Sequence, residues 1–75
     1  MRLRHLKAGE LFRFARSSMP HIYEVVDPSR CAYRMVGIFM SGVPHIDRAG
    51  EPMEHPSARE RAVRRVTIER DSGES

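Results

Sequence analysis

"RERAVRRVTIER", residues 59–70, holds five arginines, at 59, 61, 64, 65 and 70. Read as a helix, it is a basic rod for lying on nucleic acid; read as a strand, it closes a small sheet. Just upstream, Ser57 followed by Glu60 has the spacing of a capping box. Ala58, Ala62 and Val66 recur at helical spacing, but that stripe is thin and covers Val63 and Ile68 only in part. From Val66 the run Val–Thr–Ile–Glu alternates and is β-branched, and such residues are restricted in helices and pack well in strands. The stretch therefore divides into one capped helical turn, Ser57 to Ala62, and a closing strand, Val63 to Glu69. The step from Val63 to Val66 breaks strict alternation and predicts a bulge or an irregular start.

Working outward, the rest of the chain reads as further short strands. "LKAG" is a turn, and "ELFRFAR" then alternates, with Phe12 and Phe14 on one face and Arg13 on the other. "SSMP" stops it. "HIYEVV" is rich in β-branched and aromatic residues, with Tyr23 and Val25 opposite Ile22, Glu24 and Val26. "DPSR" is a turn. "CAYRMVGIFM" has the length of a central strand, with Tyr33, Met35, Gly37 and Phe39 on one face and a bulge or sharp bend at Gly37. After the "SG" turn, "VPHID" is an edge strand, because Pro44 cannot donate to a ladder. "RAGEPMEHP" reads as a loop and "DSGES", residues 71–75, as a frayed polar tail. The expected fold is all-β: five short strands over residues 1–70, bent into one small barrel, with one helical turn before the last strand.

The chain has 75 residues and one cysteine, Cys31. A domain of this size buries only about 60% of its unfolded surface, so a deep catalytic pocket would compete with the core for apolar side chains. One cysteine permits no internal disulfide, which suits a reducing compartment. The opening "MRLRHLKAGE" has no apolar run of signal-peptide length, and "MVGIFM" falls far short of a membrane span. A cytoplasmic, membrane-independent protein is expected.

Net charge is only +3, but it is unevenly spread. Residues 1–16 carry Arg2, Arg4, Lys7, Arg13 and Arg16 against Glu10, and residues 57–70 carry five arginines against Glu60 and Glu69. The middle is slightly acidic. A fold that pairs the first and last strands would join the two basic ends into one patch.

The frame "LKAGELFRF", "IYEVV" and "AVRRVTI" resembles the small Src-homology-3-like barrels of phage and bacterial proteins, with Leu6, Gly9, Phe12, Tyr23, Val25, Val26, Val63 and Val66 at the matching positions. The resemblance covers most of residues 6–69 and departs in the Met-, His- and Pro-rich middle. It implies a barrel rather than an activity, since such barrels bind RNA, DNA or protein. Small phage-type proteins of this size also include inhibitors of host defence complexes.

No catalytic residue, cofactor or metal site is expected. His5, His21, His45, His55 and Cys31 show none of the close ligand spacings of structural zinc sites. His45 and Asp47 share a strand face, yet a hydrolase would also need a nucleophile or metal and a pocket that excludes water. Cys31 reads as a small buried hydrophobe. Nucleic acid or a nucleoprotein complex is the expected partner, through Arg2, Arg4, Lys7, Arg13, Arg16, Arg59, Arg61, Arg64, Arg65 and Arg70. The scarcity of spare aromatic rings opposes base stacking, and a solvated arginine surface is the plainer reading of the same residues. The alternative is a protein-interaction or homodimerising module that uses Ile38, Met40 and Met53, since methionine adapts to irregular contacts.

Overall fold

The computed structural model describes residues 1–47 and 50–67. The fold is all-β. One antiparallel sheet contains β1 (Leu11–Phe14), β2 (His21–Asp27), β3 (Ala32–Met40), β4 (Val43–Ile46), β5 (Met53–Glu54) and β6 (Val63–Val66). The strands run in the order β4-β3-β2-β1-β6, and β5 also pairs with β3. The sheet is curled into half a barrel, and the only helical elements among the described residues are three 3₁₀ turns, at Leu3–His5, Pro28–Arg30 and Pro56–Ala58.

Two bulges produce the curl. Ile22 pairs with Gly37 but Tyr23 pairs with Met35, so Val36 is an extra residue on β3; likewise Val26 is extra on β2, between Val25–Tyr33 and Asp27–Ala32. Bulges increase local twist and bend the bulged strand. They also reset the alternation of faces. Tyr33 therefore packs on one side of the sheet while Val36 and Phe39 pack on the other. The expected shared face of Tyr33, Met35, Gly37 and Phe39 is thus split, although the bend at Gly37 falls where it was expected. A Cβ at Gly37 would collide with the His45 carbonyl and come within 2.9 Å of Ile46 Cα. Only glycine lets β4 approach so closely.

Both sheet faces carry a core. On the first, Leu3, Leu6, Val25, Cys31, Ala58 and Val63 surround Phe12, Phe14 and Tyr33, with Tyr23 packed beside them. The four rings of Phe12, Phe14, Tyr23 and Tyr33 are all mutual neighbours, at centroid distances of 5.3–5.8 Å. Each such pair contributes about 0.5–1.5 kcal/mol beyond its buried area. On the second face, Leu11, Ile22, Val36 and Val66 pack with Phe39 and Ile46.

The stretch 59–70 is a strand where it matters, though its details differ. Val63–Val66 pairs with β1 in unbroken register: Leu11 with Val66, Phe12 with Arg65, Arg13 with Arg64 and Phe14 with Val63. No bulge lies between Val63 and Val66. Each valine points into a different core, which is why they stand an odd number of positions apart, with two residues between them. The strand assignment ends at Val66, short of the expected Glu69, and residues 68–70 lie outside the described residues.

The expected capping box at Ser57 and Glu60 does not form. The turn runs from Pro56 to Ala58, His55 holds the cap position without a side-chain bond, and Glu60 pairs with Arg4 instead. Pro56 starts the turn because its fixed φ is already suitable there. The expected loop before it contains β5, where Tyr33 pairs with Met53 and Ala32 with Glu54. This sixth strand was not expected, because two residues carry no readable alternation. The "DPSR" turn is capped by Asp27, whose carboxylate accepts from the Ser29 hydroxyl (2.7 Å) and backbone N–H (3.1 Å). Ser41 and Gly42, at φ 53° and 78°, form the two-residue hairpin between β3 and β4.

Candidate nucleic-acid interface

The pairing of β1 with β6 brings the two basic ends of the sequence together. The N-terminal segment completes the junction: Arg2 bridges Ala62, the Leu3 N–H donates to the Arg61 carbonyl, and the Val63 N–H donates to the Met1 carbonyl, both at 3.0 Å. Arg2, Arg16 and Arg61 thereby line one open cleft of about 320 Å³, together with Glu60 and Ala62.

Each cleft arginine is placed by a different device. The Arg2 Nη1 donates to the Glu60 carbonyl at 2.8 Å. The Arg61 guanidinium lies over the Phe14 ring, with Cζ 4.2 Å from its centroid, a cation–π contact. Arg16 follows the end of β1 and is exposed. The acid in the cleft, Glu60, has its carboxylate drawn to Arg4, with Arg4 Nε 2.8 Å from its Oε2. No other acid among the described residues lines the cleft beside Arg2, Arg16 and Arg61.

A second group lies on β1 and β6. Arg13 and Arg64 are directly opposed across the strands, an arrangement that like charges disfavour. Arg13 is held over Phe39, 5.2 Å from the ring centroid, and Arg64 is exposed.

The other expected arginines are not gathered in. Arg65 sits on the opposite sheet face from Arg64 and pairs with Glu10, Nε to Oε2 at 3.1 Å. Arg65 is thereby turned away from Arg13 and Arg64, because neighbouring residues on a strand face opposite ways. Arg59 projects beside Cys31, in a small recess that also involves Arg4. Lys7 is exposed in the turn that Glu10 closes by accepting the Lys7 N–H at 2.8 Å. Arg70 lies outside the described residues. Sequence reasoning missed Phe14 and Phe39 as the rings beneath Arg61 and Arg13, and Arg4 as the neutraliser of Glu60. Only strand pairing brings positions so distant in sequence into contact.

The apolar candidates lie elsewhere. Met40 and Met53 are exposed and Ile38 is half-buried. Met35 and Met53 flank a shallow groove with Tyr23, Tyr33 and His55. His55 stacks on Tyr33 at 4.6 Å, while the Asp47 N–H donates to the Val36 carbonyl at 2.7 Å. Among the described residues no group of three potential metal ligands converges. Cys31 is buried at a left-handed position (φ 53°). Burial pushes its thiol pKa up, and nearby Arg59 offsets this only in part. Such a thiol is not poised as a nucleophile. No helix among the described residues is long and apolar enough to cross a membrane.

No family model, curated protein or solved structure matches the chain.

Proposed function

We propose that this protein is a non-enzymatic binding module that engages the phosphate backbone of nucleic acid, free or within a nucleoprotein complex, through the surface formed by its N-terminal segment, β1 and β6. The observation that carries this reading is the convergence of Arg2, Arg16 and Arg61 on one cleft whose acid is already held by Arg4. Arg13 and Arg64 form a second positive group on the other face of the same two strands, beside Phe39. Guanidinium forks match phosphate oxygens, and several of them together give salt-dependent affinity. Arginines projecting from a sheet edge do not enter a groove as one helical face does, so backbone contact is favoured over base-edge reading. Such a module, in the cytoplasm, suits an inhibitor of the small phage type docked on a nucleic-acid-handling complex. Retention on a polyanion column tests the reading. Arg16→Ala combined with Arg64→Ala should elute at clearly lower salt than the parent protein, and unchanged elution would sink it.

A second reading, a protein contact or self-association, is favoured by the exposure of Met35, Met40, Val43 and Met53, between 44% and 61%. Met40 and Val43 pair across the β3–β4 hairpin, and Met35 and Met53 line one groove; contiguous exposed apolar surface marks contact sites. Under that reading, sedimentation gives a dimer that Met40→Asp returns to monomer. A monomer at all concentrations rules out self-association.

A further inference from the structure

We infer that the Arg2–Arg16–Arg61 cleft accepts a single nucleotide unit of a single-stranded nucleic acid, with its base stacked on the open side of the Arg61 guanidinium and its phosphate held by Arg2 and Arg16. This deepens the reading above and rests on it.

Phe12, Phe14 and Tyr33 are buried, Tyr23 belongs to the ring cluster, and Phe39 lies beneath Arg13. No phenylalanine or tyrosine among the described residues is exposed. Arg61 supplies a planar substitute. Its guanidinium carbon lies 4.2 Å from the Phe14 ring centroid, and the same residue lines the cleft. Guanidinium planes stack on flat rings, including unpaired bases. The Phe14 ring is fixed in the core, so it holds the guanidinium in place beforehand and reduces the ordering cost of a stack.

The cleft volume of about 320 Å³ lies at the lower end of the range for small-ligand sites, which suits one nucleotide rather than an extended duplex surface. Arg2 is anchored through the Glu60 carbonyl. Arg16 has no acidic partner among the described residues and is available to a phosphate. A duplex keeps its bases paired and stacked, so only an unpaired strand has a base to offer.

Fluorescence anisotropy with two labelled strands of about twelve nucleotides, an oligothymidylate and an abasic strand of equal length, separates base from phosphate contributions. The wild type should bind the oligothymidylate at least about fivefold more tightly than the abasic strand. Arg61→Lys, which keeps the charge and removes the plane, should abolish that preference while leaving affinity for the abasic strand nearly unchanged. Arg16→Ala should weaken both. Equal affinity of the wild type for the two strands, with steep salt dependence, overturns the stacking inference and leaves the backbone-binding reading standing. Binding to neither strand, nor to a polyanion column, overturns both. The wild-type comparison stands whether or not the lysine variant folds well.

Discussion

Cys31 and Tyr33 show how single side chains set the conditions under which this fold survives. Both are buried, and in both the loss of hydration raises the pKa above its ordinary value; at Tyr33 the neighbouring Tyr23 adds to the rise. The sign follows from linkage. Below the ordinary thiol value of 9.0 both groups are protonated in the folded and unfolded chain, so their favourable contribution is complete. As pH rises through that value and then the ordinary phenol value of 10.0, the unfolded chain loses its protons more readily, and stability is lost up through the raised folded values. The urea midpoint should therefore fall between about pH 8 and about pH 10.5, and Cys31→Ala should lessen the fall that starts near 9. A midpoint that stays flat over that range would contradict the burial argument. Cys31 was legible in sequence as a small apolar residue. Its left-handed backbone was not, because that follows from ending the Pro28–Arg30 turn.

Among the elements, β6 carries both architecture and charge. Val63 and Val66 serve opposite cores, while Arg64 and Arg65 between them face opposite ways. The strand was read from the β-branched run that starts at Val66, and of that run only Val66 lies within the strand Val63–Val66. The three-residue valine spacing was misleading, because alternation looks broken when a sheet buries both faces. In β3 the reverse held: Gly37 announced the bend, but the extra residue, Val36, could be found only from its pairing with β2. The opposition of Arg64 to Arg13 gives a test that separates structure from function. Arg64→Glu replaces a like-charge cross-strand pair with an opposite-charge pair and should stabilise the fold by about 0.2–1 kcal/mol at low salt. The same change should weaken polyanion binding. A variant that is destabilised, or that binds polyanions as well as the parent, would show that Arg64 serves packing or solvation alone.

On the scale of the whole molecule, a net charge of only +3 is unevenly distributed in space, because β1 pairs with β6 and the two basic ends of the chain meet. The sequence made that meeting predictable as soon as residues 63–66 were read as a strand pairing with the first. It did not show which arginines would be neutralised. Glu10 takes Arg65 and Glu60 takes Arg4, whereas Arg2, Arg16 and Arg61 share a cleft. Ion pairs between exposed side chains contribute little to stability, so their main consequence is to decide where the positive field remains. The most direct test of the central claim is the salt dependence of affinity for labelled single-stranded and duplex oligonucleotides. Binding to at least one should fall linearly in log–log form, and Arg16→Ala with Arg64→Ala should make the slope shallower by about 1.4 on a single strand or about 1.8 on a duplex, the release expected for two phosphate contacts. No binding to either oligonucleotide at low salt, or an unchanged slope in the double variant, would contradict it.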